Sequence, residues 1–262
     1  MFMNEKEIVN YIESRPEVLK ELLSKCGYVK GKNVKMGDEI YSLSKLYGND
    51  NFITEVLPGI YCECTGTCGN HCTGCKNACY VKKSYDIKPS VVVGHMRRTI
   101  LMRYFLDEYK TALTGQLARK RKKAEVIRLD QSGEIETLKE FIMHKNIASD
   151  HKETSFYIYT KNMDTIGPYI LQHANEFPDN FIILISIWND QNIDWFLRLQ
   201  HLPFIKAFVV KTGYDYNAAG IHIQTDCKAY NGKKLNKELT CYKCKKCFDH
   251  NPNHKIIGCD EH

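Results

Sequence analysis

Between positions 62 and 79 the chain reads Cys-Glu-Cys-Thr-Gly-Thr-Cys-Gly-Asn-His-Cys-Thr-Gly-Cys-Lys-Asn-Ala-Cys, six thiols in eighteen residues. Cysteines two to four positions apart, spaced by glycine and small polar residues, can turn several sulfurs toward one point. Thiolates so disposed suit soft metals, above all zinc or an iron–sulfur cluster. Cys64, Cys68, Cys72, Cys75 and Cys79 are the candidate ligands. A second set, Cys241, Cys244 and Cys247, is spaced C-x2-C-x2-C, with Cys227 upstream and Cys259 downstream. Cys227, at the end of a predicted strand, is the preferred fourth ligand of a closed four-sulfur site that fastens the tail; Ile257 and Gly258 beside Cys259 carry no ligand-loop signature. His250 and His254 offer nitrogen alternatives and with them zinc, although the five residues between Cys244 and His250 are too few for a zinc finger of the usual kind. Cys26 stands alone and reads as a buried thiol.

An even total of twelve cysteines would suit a disulfide framework in a small secreted chain. At 262 residues this chain buries a core without staples, and its start, Met-Phe-Met-Asn-Glu-Lys-Glu, lacks the apolar stretch of a signal peptide. Reduced thiols in the cytoplasm are therefore expected. No apolar run approaches the roughly 20 residues that span a bilayer, which argues against a membrane protein. With 43% hydrophobic and 26% charged residues the chain is built to fold, not to stay disordered. Much of the +6 formal charge sits in one run, Arg119 to Lys123. That run offers a nucleic-acid contact, but at the end of a predicted helix it first serves as a solvated complement to the helix dipole.

The elements that must position these thiols follow from periodicity. Ile8, Tyr11 and Ile12, then Val18, Leu22 and Leu23, form apolar stripes of two N-terminal helices, the second opened by Pro16. Short strands are predicted at 39–43 and 52–57, and one long helix from about Ser90 to the basic run. From Ala124 strands alternate with helices: strands at 125–129, 155–160, 181–188, 204–211 and 221–225, helices near 135–147, 165–177 and 193–202. This is the pattern of βαβ units in a parallel sheet of about six strands. Phe-Ile-Ile-Leu-Ile-Ser-Ile is apolar on both faces, as a covered sheet requires. A partial (β/α) barrel is preferred to an open doubly wound sheet. Either places chemistry at the strand C-terminal ends, among Asp130 to Glu134, Lys161 and Asn162, Asn189 and Asp190, and Gly213 and Asp215. Arg128, Asp130 and Lys161 are candidate pocket residues, while His95 and His144 fall on helices as surface or packed residues. The organisation expected is an N-terminal helical and irregular segment (1–60), the cysteine loop with the α/β unit (61–226), and a cysteine-rich tail (227–262).

The cysteine loop ending Cys79-Tyr80, the strand Val126-Ile127-Arg128 running into Ser132-Gly133-Glu134, the strand Tyr157 to Asn162 and the closing cysteine cluster together resemble the phage gene product 88 family, in the same order, over roughly residues 33 to 262. Thr65 stands where that family usually has Pro, Val81 where it has Ala, and Glu134 where it has Asp. The resemblance implies an iron–sulfur protein, with one or two clusters of the 4Fe-4S kind, a radical-SAM-like partial barrel and a place in the host cytoplasm. Cys68, Cys72 and Cys75 match the C-x3-C-x2-C spacing by which radical-SAM enzymes leave one iron open for S-adenosylmethionine (SAM), although Gly74 replaces the usual aromatic. Cys64, Cys75 and Cys79 match the shorter family loop better, and Cys79 offers a closing fourth ligand. Ser132, Gly133 and Glu134 resemble the element that receives the SAM ammonium group; the plainer reading of Glu134 is an acidic residue in the first turn of a helix. Two functions follow: a SAM-dependent radical enzyme acting on an unidentified small-molecule or macromolecular substrate, or a metal-stapled binding protein for nucleic acid or a protein partner.

Overall fold

A computed structural model describes the chain except at residues 31–38, 70–74, 76–78, 120–123, 229, 232–233, 236–238 and 261–262. Cys72, Gly74 and all of the basic run beyond Arg119 lie outside the described residues. In chain order the elements begin β1 (Phe2–Met3), α1 (Glu5–Glu13), α2 (Pro16–Lys25), β2 (Val29–Lys30), β3 (Ile40–Ser42), β4 (Asn51–Leu57), β5 (Ile60–Thr65), α3 (Tyr80–Ile87), α4 (Pro89–Tyr104) and α5 (Leu106–Arg119). The α/β part follows with β6 (Val126–Leu129), α6 (Leu138–Asp150), β7 (Ser155–Thr160), α7 (Met163–His173), β8 (Phe181–Trp188), α8 (Ile193–Leu199) and β9 (Ile205–Lys211). The tail adds β10 (Thr225–Asp226), β11 (Tyr230–Asn231), β12 (Lys234–Leu235), α9 (Cys241–Cys244) and β13 (Ile256–Asp260).

The fold is mixed α/β. Its main sheet has eight strands in the order β10-β13-β9-β8-β7-β6-β3-β2, every pair parallel except β2 with β3. From β3 to β9 spatial neighbours follow chain order without a reversal. Right-handed crossovers along such a run deliver their helices to one face, and α5, α6, α7 and α8 do pack consecutively against one another. Register separates the two faces. Phe156 pairs with Phe181 on the helix face, where Phe141 of α6 lies 5.9 Å from the Phe181 ring. Arg128, Tyr157 and Ile182 pair on the other face, as do Tyr159, Leu184 and Lys206. The cysteine tail covers that second face: Phe248 lies 5.3 Å from the Tyr157 ring, and Lys206 donates to the Lys246 carbonyl at 2.7 Å. Both faces of β8 are thereby buried along its whole length.

Two local expectations are corrected, and two strands lie where none was predicted. The helix predicted from Ser90 to the basic run is two helices, α4 and α5, separated at the buried Phe105 (φ −130°, ψ 43°), so that both can turn apolar side chains inward. The strand predicted at 221–225 is reduced to Thr225–Asp226. Residues 60–65, which overlap the start of the cysteine loop at 62–79, form β5, which pairs with β4 as a hairpin and with β1 in parallel. Residues 256–260, which carry no strand alternation, form β13 between β9 and β10. No helix among the described residues is long and apolar enough to cross a membrane.

Candidate functional site

The loop cysteines divide into two groups. Cys62 and Cys64 are buried on β5. Arg103 of α4 donates to the Cys64 sulfur at 3.2 Å, to Glu5 at 2.9 Å, to Glu136 at 2.6 Å and to the Gly66 carbonyl at 3.3 Å. Burial, with Glu5 beside it, pushes the Cys64 thiol well above its usual range. Cys64 thus takes part in an ion-paired fastening around Arg103 at the base of the loop.

Cys68 occupies that gathering instead. Its backbone N–H donates to the Gly48 carbonyl at 2.7 Å, and Thr67 before it bonds the Leu46 carbonyl through both N–H (3.1 Å) and hydroxyl (2.8 Å). Gly66 is required here, because a Cβ would stand 2.1 Å from the Tyr47 carbonyl oxygen. Cys75 acts electrostatically on both Cys68 and Cys79, and Tyr47 feels Cys79 and Cys68 together. The Cys79 sulfur faces the backbone N–H groups of Val81 and Lys82 at the start of α3, which oppose the upward push of burial on its thiol. Burial raises the Cys68 thiol to about 12, with Glu134 adding to it. Lys161, at the exit of β7, hydrogen-bonds Cys75 and lies near Cys68 and Glu134; these partners hold its ammonium up against burial.

Ser132, Gly133 and Glu134 are a buried structural turn that delivers one carboxylate to this place. Ser132 donates from its hydroxyl to the Lys45 carbonyl at 2.9 Å and accepts the Lys45 N–H at 2.8 Å. Gly133 has φ +85°, and a Cβ there would lie 2.6 Å from Thr67 Oγ1. Glu134 donates its N–H to Thr67 Oγ1 at 2.9 Å, while its carboxylate accepts the N–H of Ile135 (3.0 Å) and of Lys161 (2.8 Å). The first-turn reading of Glu134 is corrected: α6 begins at Leu138 behind the cap Thr137, so Glu134 lies before the helix. Beneath the turn, Lys45 is fully buried and ion-pairs with Glu140, with an Asp130 carboxyl oxygen 3.8 Å from its ammonium. Sequence reasoning missed Lys45, which carries no motif.

Of the residues proposed to line a strand-end pocket, Lys161 does so. A cavity of about 640 Å³ at the ends of β7 and β8 is lined by Lys161, Asp164, Asp190, Asn192, Trp195 and Arg198. Asn192, held at φ +66°, donates to the carbonyls of Lys161 (3.1 Å) and Ser186 (3.2 Å) and so ties the two strand ends together. Arg128 instead lies on the tail-covered face, 4.6 Å from the centre of the Tyr159 ring, and Asp130 is buried beside Lys45. His95 and His144 are packed in the core.

In the tail, Cys227 N–H donates to the Gly258 carbonyl at 2.7 Å. Cys247 is half-buried near Cys241, Cys227 and Cys244, and accepts the Tyr159 hydroxyl at 2.9 Å. Burial foremost, then those three thiols, push its own thiol up to about 12 against the Tyr159 bond. Cys259 is buried on β13. His254 is bound to Asp249 at 2.6 Å. Among the described residues no group of three or more His, Cys, Asp or Glu side chains stands in ligation geometry for a metal ion. The donor chemistry nevertheless suits one: each set brings neighbouring thiols alone to a partly buried place, and a metal cation would relieve the burial that disfavours their thiolates.

Fold and site define a mixed α/β protein with a mostly parallel sheet, one thiol set near its strand ends and another in the tail that covers one of its faces. The family model for gene product 88 matches residues 32–250, and the chain belongs to this phage protein family. No curated protein and no solved structure matches it significantly.

Proposed function

We propose that the chain is an iron–sulfur protein in which Cys68, Cys75 and Cys79 hold a 4Fe-4S cluster beside a ligand cavity, and that it carries out SAM-dependent radical chemistry. The observation that carries this reading is the meeting of those three thiols with Glu134 and Lys161 at the end of β7, next to the cavity. A cluster with an open iron supplies one electron to the sulfonium of bound SAM. The chain's own residues bind and orient. Glu134 offers the remaining lone pairs of a carboxylate already fixed by two backbone N–H groups to an incoming ammonium group. Lys161 supplies positive charge beside the thiolates, and Asp164, Asp190 and Asn192 offer polar contacts to a substrate. The unreversed strand order supports a partial barrel, whose strand ends are the usual place for such a site. A reducing compartment, the host cytoplasm, fits the free thiols.

The test is Glu134→Gln in anaerobically reconstituted protein. SAM affinity should fall about tenfold or more, as expected when a charge-assisted bond worth about 1.5–3 kcal/mol is weakened, with iron content unchanged. Wild-type, reduced protein that binds no SAM and forms no 5′-deoxyadenosine would contradict the enzymatic reading. One observation favours the second reading, a closed, metal-stapled binding protein: both Glu134 oxygens already accept backbone bonds. For that protein zinc or iron at Cys227, Cys241, Cys244 and Cys247 would be a staple, and partners would be nucleic acid, through the run beginning at Arg119, or another protein.

A further inference from the structure

Cys241-Tyr242-Lys243-Cys244 is the whole of α9, a single helical turn. Thiols three positions apart on one turn have Cα atoms about 5 Å apart by helix geometry, inside the range of roughly 4.4–6.8 Å that a disulfide bridges. The turn is held at both ends. Thr240 caps it by accepting the Lys243 N–H at 3.3 Å, and Lys245 closes it at φ +60° with its N–H on the Cys241 carbonyl at 2.9 Å. Around the turn, the Tyr242 hydroxyl donates to Glu125, and the Lys246 ammonium donates to the Asp226 carbonyl at 3.0 Å. A pair so fixed can open and close its bond without moving the fold. The surroundings favour chemistry between two thiols. Cys241 and Cys244 are half-buried, within reach of a reactant, and neither is in a disulfide. Among the described residues no three thiols of the tail stand in ligation geometry, and the neighbouring Cys247 is engaged by the Tyr159 hydroxyl. A C-x2-C pair beside βαβ units is a pattern of thiol–disulfide exchange. Lys243 and Lys245, on either side of Cys244, are exposed, and their charge draws an anionic reactant.

We propose that Cys241 and Cys244 are a redox-active dithiol that exchanges with small anionic disulfides, for which glutathione disulfide is the probe. One thiol of the pair, as thiolate, attacks a sulfur of the substrate. The substrate S–S bond breaks, a mixed disulfide forms, and the departing thiolate takes up the proton that the attacking thiol gave. The other thiol of the pair then attacks the mixed disulfide, which closes the Cys241–Cys244 bond and releases the second substrate thiol. Two electrons pass from the dithiol to the substrate, which leaves as two thiols. This chemistry needs no metal in the tail and is independent of what the loop thiols hold.

The experiment uses the full chain, reduced and freed of reductant under anaerobic conditions, then exposed to glutathione disulfide, alkylated and mapped by peptide mass spectrometry, with metal content measured on the same sample. A Cys241–Cys244 bond should form with release of two glutathiones, and dithiothreitol should reverse it. Cys241→Ser and Cys244→Ser should both abolish that bond, and one of them should keep a stable glutathione adduct on the remaining thiol. Lys243→Glu together with Lys245→Glu should slow the reaction with glutathione disulfide about tenfold and leave that with the uncharged hydroxyethyl disulfide unchanged. Unreacted Cys241 and Cys244 in the wild type, a bond from either to Cys227 or Cys247, or tail thiols occupied by zinc or iron would overturn the dithiol. Equal slowing with both disulfides would overturn the choice of an anionic substrate.

Discussion

Replacing Lys45 by Met should be the most damaging single change outside the thiol sets. The Lys45 ammonium is buried with Glu140 and Asp130 and also donates to the Glu134 carbonyl. Glu140 accepts directly from Lys45 and from the Glu136 N–H at 3.1 Å, so its carboxylate is satisfied. Among the described residues neither Asp130 oxygen has a hydrogen-bond partner. Burial holds the Asp130 carboxyl well above its usual range despite Lys45, and the neighbouring carboxylates push the same way. The balance is one ammonium, one carboxylate and one protonated acid. Removing the ammonium strands a buried carboxylate, which costs about 3–5 kcal/mol. It also releases the turn at 132–134 from the segment that seats Thr67 and Cys68. Asp130→Asn removes no charge from such a group and should cost under about 1 kcal/mol, whereas Glu140→Gln should approach the Lys45→Met loss. Urea unfolding followed by circular dichroism measures all three. Equal losses in Asp130→Asn and Lys45→Met, or a Lys45→Met loss below about 1 kcal/mol, would refute this charge assignment.

Other consequences are as direct. Burial, with Lys45 nearby, holds His144 down to about 3, and neither ring nitrogen has a partner. Between pH 6.5 and that value the unfolded chain binds a proton that the folded chain refuses, so stability falls as pH falls, by about 2 kcal/mol at pH 5. His144→Leu should remove this part of the acid limb without loss at pH 7, and an unchanged limb in thermal melts from pH 7 to 5 would contradict it. Gly133→Ala forces a Cβ to 2.6 Å from Thr67 Oγ1 at φ +85° and should cost about 1–3 kcal/mol and weaken iron retention. A wild-type urea midpoint in that variant would show that the turn gives way freely.

Much of this architecture was legible because its signals are local. The span 181–188 was readable as a strand from an apolar run too short for a helix, and Pro16 marks the start of α2. Alternation of such runs with amphipathic stretches identified the parallel sheet. What was not legible depends on distant partners. β5 is hidden because Cys62 and Cys64 read as ligands, yet their burial comes from pairing with β4 and β1. β13 has Gly258 and Cys259 where alternation would be sought, and it is recruited by β9 and β10. Thiol spacing marked two segments and left the choice among Cys64, Cys68 and Cys72 open. Arg103 bonds the Cys64 sulfur, and neither Arg103 nor Lys45 sits in a motif.

The central claim is that the loop cluster is held by Cys68, Cys75 and Cys79, with Cys64 a fastening thiol outside it. Single Cys→Ser variants at these four positions, purified anaerobically and compared by iron and sulfide content and by the visible sulfur-to-iron charge-transfer band, test it most directly. Cys68→Ser, Cys75→Ser and Cys79→Ser should each lose the loop cluster, and Cys64→Ser should retain it. Loss of the loop cluster in Cys64→Ser with retention in Cys68→Ser would contradict the account, as would wild-type protein that holds only zinc.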